Sequence, residues 1–168
     1  MAYVDQPLRE DDIHLSAPHI YGSALEALEL RSDTSLTFLN VGSGTGYVTA
    51  IVASILGPHS SCHGVEIRQT VVRHCQEATA KWKKQYRGKL PLMQTIHGNG
   101  LHIVPDKGES ALGYDRIYIG ASIGRDDLSK LTTLLKPGGI LVGPGEFLSL
   151  EFSLVQKYLV CRLSSTSD

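Results

Sequence analysis

The fold of this chain is decided by residues 38–47, which read FLNVGSGTGY. An apolar run that favours a β-strand leads into three glycines separated by single residues, and a helical pattern then extends from Tyr47 to Leu56. A strand, a glycine turn and a helix in this order let a backbone approach a nucleotide-like ligand closely. Glycine turns also serve packing alone, so the remaining residues must supply the rest of such a site.

Strand-like and helix-like segments alternate along the chain. The apolar patterns predict strands at residues 36–41, 61–67, 92–97, 114–120 and 140–142, and helices at 16–30, 47–56, 69–86 and around 128–135. This alternation predicts an α/β fold with a doubly wound, mainly parallel sheet. Right-handed crossovers would bring the carboxyl ends of the strands to one edge, and with them Gly42 to Gly46, Glu66, Asn99 and Gly120.

The two ends of the chain are less regular. Residues 3–15 are polar without a clear period and predict an extended lead-in, after which Ser16 is expected to cap a helix whose first turn holds Pro18. Two short apolar runs between 147 and 163 predict a terminal hairpin, and the shortness of this region predicts that its last strands are incomplete. We expect a single domain over 1–168: an N-terminal arm and helix at 1–30, a cofactor-binding core at 36–144 and terminal strands at 145–168.

Composition narrows the class of protein. A net charge of -1 argues against a nucleic-acid partner, and no apolar run reaches the roughly 20 residues of a membrane helix. The N-terminus has no signal-peptide core, and three cysteines without a Cys-x-x-Cys pair predict reduced thiols in a cytoplasmic protein. The seven histidines show no metal-ligand spacing, so no metal site is expected.

Glu66 indicates what the glycine turn binds. The dinucleotide pattern Gly-x-Gly-x-x-Gly is absent, which argues against a dehydrogenase. An acidic residue at the end of the second strand, about 20 residues after the glycines, is placed to accept both ribose hydroxyls of an adenosine, although a surface glutamate is the plain alternative. A ligand without phosphates needs polar contacts along the strand ends, and S-adenosylmethionine fits that description.

Four segments resemble the protein-L-isoaspartate O-methyltransferase family. They are residues 13–19 (IHLSAPH), 40–46 (NVGSGTG), 114–121 (YDRIYIGA) and 134–141 (LLKPGGIL), and the likeness extends over most of the chain. The Ser-Ala-Pro-His segment is the most specific, because methyltransferases in general share the glycine turn but lack it. Asn40, Asn99 and Tyr118 depart from the usual pattern and look closer to the branch of domain-containing relatives, whose C-terminal extension recruits ubiquitin-ligase components.

The resemblance implies a Rossmann-like, class I S-adenosylmethionine-dependent methyltransferase fold and a set of site residues. Ser16 is implied as the catalytic residue facing the reactive centre. Substrate contacts are implied for Tyr3, Asp5, Ser16 and His19, of which His19 has a structural role as its alternative. Cofactor contacts are implied for Gly42, Ser43, Gly44, Thr45, Glu66, Asn99 and Gly100.

Two functions follow from the resemblance. The first is transfer of a methyl group from S-adenosyl-L-methionine to the α-carboxylate of isoaspartyl residues in damaged proteins, a protein-repair reaction. A carboxylate is ionised at neutral pH, so such a site needs orientation rather than a general base. The second is a cofactor-binding module that recognises client proteins without turnover, as in a ubiquitin-ligase adaptor. Asn99 in place of an aspartate keeps an oxygen acceptor for the adenine but loses a charge.

Overall fold

The computed structural model describes residues 4–104, 112–144, 153–155 and 158–163 of the 168-residue chain. A seven-stranded sheet in the order β5-β4-β3-β6-β7-β9-β8 forms its centre, and a separate two-stranded hairpin precedes it. The strands are β1 Leu8–Glu10, β2 Ile13–Leu15, β3 Thr37–Val41, β4 Ser61–Glu66, β5 Leu92–His97, β6 Tyr114–Ile119, β7 Leu135–Pro144, β8 Ser153–Val155 and β9 Tyr158–Arg162. The helices are α1 Pro18–Ala27, α2 Tyr47–Ile55, α3 Gln69–Gln85 and α4 Arg125–Thr132, with a 3₁₀ turn at Gly100–His102.

The five central strands run parallel, and β9 and β8 join antiparallel at one edge. The chain builds β4 and β5 on one side of β3 and then crosses to the other side for β6 and β7. The order therefore reverses between β3 and β6, and a doubly wound sheet leaves a crevice for a ligand at this point. This confirms the predicted α/β class and its mainly parallel sheet.

Alternating side chains of the strands build one apolar core on each face of the sheet. Phe38 packs with residues of α1 and α2, whereas Leu39 packs with Leu128 and Leu131 of α4. β3 is buried along its whole length, because both faces of a central parallel strand are covered by helices. The glycine turn after β3 is thus held by the most buried strand of the sheet.

The structure corrects three local expectations. The lead-in holds the hairpin β1–β2, whose strands are too short to show an alternating pattern. The fourth helix ends at Thr132, and Leu135 already pairs with Tyr114 as part of β7. Ser16 does not cap α1: Ala17 is the N-cap and its carbonyl accepts the Ile20 N–H, since Pro18 occupies the first turn and shifts the helix start by one residue.

Asp5, which lies earlier in the N-terminal arm than Ser16, provides the capping carboxylate of α1. Asp5 Oδ1 accepts the backbone N–H of His19 at 3.0 Å, in the first turn of α1. His19 Nδ1 lies 2.9 Å from both oxygens of this carboxylate. The His19 N–H and imidazole lower the pKa of Asp5, and the negative charge also suits the positive end of the helix dipole.

The structure also bears on the expectations about cysteines, membrane helices and metal ligands. All three cysteines are free thiols, with Cys62 and Cys75 buried. Within the described ranges no helix is long and apolar enough to cross a membrane. In the same ranges, no three His, Cys, Asp or Glu side chains converge as metal ligands would. The predicted terminal hairpin falls partly outside the described residues, and β8 and β9 are its described part.

Candidate active site

A cavity of about 440 Å³ lies at the carboxyl ends of β3, β4, β5 and β6, and we call it the strand-edge cavity. Its walls come from the glycine turn, the end of β4, the 3₁₀ turn and the loop after β6. Its lining includes Gly42, Gly44, Glu66, Asn99, Gly100 and Gly120, with Asp12, His14 and Arg68 at the mouth. Pockets of roughly 300–1,000 Å³ hold small molecules and cofactors, so the size suits such a ligand.

The glycine turn needs glycine for its conformation and for close approach. Gly42, Gly44 and Gly46 have φ values of +73°, +54° and +80°, a region that side chains with a Cβ rarely adopt. A Cβ on Gly42 would lie 2.6 Å from Ala121 Cβ, and one on Gly46 would lie 2.5 Å from Cys75 Sγ. A Cβ on Gly44 would instead meet only the His14 carbonyl at 4.0 Å, so this backbone is open to a ligand.

Glu66 is fixed by two backbone donors at the edge of the cavity. The N–H of Gly44 donates to Oε2 and the N–H of Arg68 donates to Oε1, each at 3.0 Å. The side chain is therefore oriented before any ligand arrives, and each carboxylate oxygen keeps a further lone pair for a hydroxyl donor. The alternative of a surface glutamate does not describe this residue, which is 9% exposed.

The hairpin β1–β2 crosses the mouth of the cavity. Arg68 Nη1 donates to the Asp12 carbonyl at 3.2 Å, and Thr70 Oγ1 bonds Asp12 Oδ2 at the same distance. Asp11 takes a left-handed φ of +49° in the turn, where Asp is tolerated better than most residues. These contacts hold Asp12 and His14 over the glycine turn and give the cavity its outer wall.

A second, much smaller cavity of about 40 Å³ adjoins the first, and we call it the Ser16 pocket. It shares His14, Gly42, Gly44 and Gly120 with the strand-edge cavity. Its other walls are mostly polar or aromatic, with two aliphatic side chains among them: Leu15, Ser16, Tyr21, Ser43, Thr45, Tyr47, Val48 and Tyr118. The Ser16 N–H donates to the Tyr21 hydroxyl at 2.7 Å, which places the start of α1 against the pocket.

Buried polar atoms lie beneath the glycine turn. Asn40 Nδ2 donates to Thr49 Oγ1 at 3.0 Å, and both side chains are nearly inaccessible. Within the described part of the chain, Asn40 Oδ1 and Ser43 Oγ have no hydrogen-bond partner. Because an unsatisfied buried polar group is costly, the Ser43 hydroxyl next to the Ser16 pocket is suited to a polar ligand atom.

Comparison with known proteins decides the family. A model described as Protein-L-isoaspartate(D-aspartate) O-methyltransferase (PCMT) matches residues 1–158. The chain belongs to the protein-L-isoaspartate O-methyltransferase family. It is 31% identical over 164 residues to protein-L-isoaspartate O-methyltransferase 1 of Arabidopsis thaliana, an alignment covering 93% of this chain and 66% of that protein. The wheat (Triticum aestivum) protein-L-isoaspartate O-methyltransferase is 32% identical over 160 residues, covering 92% and 66%. The chain thus spans just under two thirds of the length of these family members.

Solved structures agree on the fold. A Plasmodium falciparum structure named for the isoaspartate methyltransferase family, in complex with S-adenosyl-L-homocysteine, superposes with a TM-score of 0.68 at 23% identity, covering 98% of this chain and 78% of that chain. A precorrin-6y C5,15-methyltransferase from Geobacter metallireducens reaches 0.58 at 19% identity, covering 83% and 67%. The architecture is that of class I S-adenosylmethionine-dependent methyltransferases.

The cofactor residues expected from the family resemblance converge in space. Gly42, Gly44, Glu66, Asn99 and Gly100 all line the strand-edge cavity. Ser43 and Thr45 line the Ser16 pocket instead. The Asn99 oxygen accepts the Leu101 N–H at 3.0 Å and so caps the 3₁₀ turn. A carbonyl oxygen has a second lone pair, so this bond is compatible with a ligand contact as well.

The residues expected to contact the substrate do not all lie at one cavity. Ser16 lines its pocket, but Asp5 and His19 pair with each other and line neither cavity, which agrees with the structural alternative for His19. Tyr3 lies outside the described residues. Substrate contact by Tyr3, Asp5, Ser16 and His19 stays a prediction.

Sequence reasoning missed four residues that shape the site. Asp12 and His14 reach the cavity only through the hairpin, and Tyr21 and Tyr118 line the Ser16 pocket from α1 and β6. Tyr118 carried a signal, because it departs from the histidine usual in the isoaspartate methyltransferase family. Tyr21 carried no such signal, because Ser16 precedes α1 and a separation of five residues corresponds to about 1.4 helical turns.

Proposed function

We propose that this protein transfers a methyl group from S-adenosyl-L-methionine to the α-carboxylate of isoaspartyl residues in damaged proteins, as a repair reaction. The observation that carries the proposal is the junction of two cavities in a chain of this family. The strand-edge cavity has the size of a cofactor site, and it meets the Ser16 pocket along the backbone of Gly42 and Gly44. Donor and acceptor would therefore meet at the glycine turn.

The residues present fit the cofactor. Gly44 offers open backbone where a side chain would intrude, and the oriented carboxylate of Glu66 would accept the ribose hydroxyls. Asn99 and Gly100 would border the adenine, and a Cβ at Gly100 would lie 2.5 Å from Val41 Cγ1. The small residue there lets the 3₁₀ turn approach β3 and leaves the cavity its depth.

The chemistry asks little of the chain beyond orientation. The cofactor supplies a methyl group on a positively charged sulfur. A carboxylate with an ordinary pKa near 4 is already ionised at neutral pH, so no side chain needs to take a proton. The task of the chain is to hold the acceptor in line and exclude water, and orientation of this kind supplies a large part of many rate enhancements. The Ser16 hydroxyl can donate to the carboxylate and aim it at the junction.

The direct test is transfer of a labelled methyl group to a peptide with one isoaspartyl residue, beside the same peptide with aspartate. We expect label on the isoaspartyl peptide alone, and label on neither at saturating cofactor would rule the activity out. Ser16→Ala should lower turnover by about tenfold or more through lost orientation. Because Ser16 does not cap α1, its melting temperature should stay unchanged.

Ser129→Ala is the matched control. Ser129 is exposed on α4, and among the described residues its hydroxyl bonds a neighbouring backbone carbonyl, that of Asp126 at 2.7 Å. This variant should keep full turnover. Equal turnover in the two serine variants would contradict the role assigned to Ser16.

One observation supports a second function. The Ser16 pocket holds about 40 Å³, little more than the share of one water molecule. A carboxylate enters only if the hairpin or the surrounding aromatic rings move, and a chain that does not make this movement would bind the cofactor and client proteins without turnover. The resemblance implies ubiquitin-ligase components as partners in longer relatives of the domain-containing branch. Calorimetry that detects cofactor and isoaspartyl peptide binding, with no methyl transfer, would favour this function.

For either function we propose the cytoplasm as the compartment. The support is chemical: Cys62, Cys75 and Cys161 are free thiols, as proteins of reducing compartments have them. Isoaspartyl sites in cytoplasmic proteins would then be the substrates. Fractionation of cells that produce the protein checks this location.

A further inference from the structure

A third cavity, of about 450 Å³, forms an apolar groove between the hairpin β1–β2 and the helices α2 and α3. We call it the hairpin groove. Its lining is mainly aliphatic and aromatic, with a few polar side chains among them: Leu8, Glu10, Ile13, Leu15, Thr45, Gly46, Tyr47, Ala50, Ile51, Ser54, His74, Ala78, Thr79 and Trp82. It is larger than the Ser16 pocket by an order of magnitude, and most of its lining lies outside the two cavities that the reaction uses.

The groove is continuous with the acceptor side of the proposed active site. Leu15, Thr45 and Tyr47 line both the hairpin groove and the Ser16 pocket. From Tyr47 the groove follows α2 to Ser54, which at about 1.5 Å per residue is roughly 10 Å. An extended peptide covers this distance in about three residues. A peptide held at Ser16 thus reaches along the groove with its next few side chains.

The surface chemistry of the groove suits apolar side chains. Leu8 is 52% exposed and Tyr47 is 40% exposed. Both border a concave surface from which a bound ligand would exclude water. Trp82 contributes a large aromatic face, and its ring packs against Tyr86 at 5.1 Å between centroids. Removing such surface from water is the main favourable contribution to association.

We propose that the hairpin groove binds apolar side chains of the substrate that lie within about three residues of the isoaspartyl residue. This inference rests on the proposed function. It makes the protein selective for damaged sites in apolar sequence contexts, because an apolar neighbour gains contacts there that glycine cannot make.

The test compares two isoaspartyl peptides that differ only in their neighbours, one with leucines within three residues on both sides and one with glycines. The leucine peptide should have a KM at least about tenfold lower, the range that one buried apolar group can give. Trp82 is the only tryptophan of the chain and lines the groove, so its fluorescence reports occupancy apart from turnover. The leucine peptide should shift the emission to shorter wavelength, and the glycine peptide should not.

Ala78→Phe fills the groove from α3, and Ala80→Phe on the exposed side of the same helix is its control. In the first variant the kcat/KM ratio of the two peptides should fall to about one and the fluorescence shift should vanish. The control should keep both. If Ala78→Phe does not fold, the two peptides still decide the question with the unaltered protein.

Three outcomes would overturn the inference. Methyl transfer with equal KM for both peptides removes the groove from substrate binding and leaves the proposed function standing. Transfer to neither peptide removes the proposed function and the inference with it. A dimer by sedimentation that Ala78→Phe dissociates, without a peptide preference, makes the groove a contact between copies of this chain.

Discussion

At the scale of single residues, the glycine turn tolerates no side chain at Gly46. Gly46→Ala should reduce the free energy of unfolding by about 2–4 kcal/mol, because it combines a left-handed φ of +80° with a Cβ 2.5 Å from Cys75 Sγ. Chemical denaturation measures the change. Adding Cys75→Ala should recover the steric part and leave the part due to φ.

Gly22 provides the opposite case on the same chain. It lies within α1, and a Cβ there would meet nothing within 4 Å. Gly22→Ala should therefore raise the stability by about 0.5–1 kcal/mol, since glycine is a poor helix residue. Similar effects of the two substitutions would show that conformation and contact at Gly46 do not govern stability.

Local chemistry made some residues predictable and others not. The spacing of Gly42, Gly44 and Gly46 and the position of Glu66 follow from the strand, turn and helix around them, so the sequence placed them correctly. The prediction that Ser16 caps α1 was wrong. The carboxylate that accepts a backbone N–H of the first turn belongs to Asp5, 14 residues before His19. No rule of local spacing connects these two residues. Contacts of this kind require the folded chain.

At the scale of elements, Asp115 joins β3, β6 and β7 at the end of the sheet away from the site. Its Oδ2 accepts the Thr37 N–H and hydroxyl, each at 2.7 Å, and Lys136 Nζ at 2.9 Å. Burial alone would raise the pKa of Asp115, but these donors outweigh it and lower the pKa below the ordinary 3.8. Asp115→Asn should lower the free energy of unfolding by about 2–3 kcal/mol at pH 7, through weakened bonds to a charged group.

The pH dependence of this difference has a definite sign. A carboxylate whose pKa is lowered by folding stabilises the fold above its unfolded pKa, and the contribution disappears as pH falls through the lowered value. The gap between the original protein and Asp115→Asn should therefore narrow below about pH 4. Asp33→Asn is the control: its pair with Arg31 is more than 60% exposed on both sides, and such pairs contribute little. A gap that stays constant down to pH 2 would contradict the assignment.

Elements differed in how far the sequence revealed them. The buried parallel strands β3 and β4 lie between clear helical patterns, and their bounds were predicted within a residue or two. The hairpin β1–β2 was missed because three-residue strands carry no period. Contacts of Asp12 with Arg68 and Thr70 hold it in place, and these side chains lie more than fifty residues away in sequence.

At the scale of the whole molecule, the strand-edge cavity joins elements from separate parts of the chain. The hairpin, the glycine turn, the end of β4, the 3₁₀ turn and the loop after β6 all line it. A ligand bound there contacts every one of these segments at once and binds only when they are assembled. Its binding free energy therefore adds to the stability of the entire fold.

S-adenosyl-L-homocysteine at about 100 times its dissociation constant should raise the free energy of unfolding by about 2.7 kcal/mol. In a chain of this size that corresponds to a rise in Tm of about 5–10 °C, which scanning calorimetry measures. Glu66→Gln should remove most of the rise at the same ligand concentration, because an amide supplies one acceptor where the carboxylate supplies two. Glu77→Gln, on the exposed side of α3, should keep it. An equal rise in both variants would mean that the ligand binds away from the strand edge, and the junction between cofactor cavity and Ser16 pocket would then lose its role.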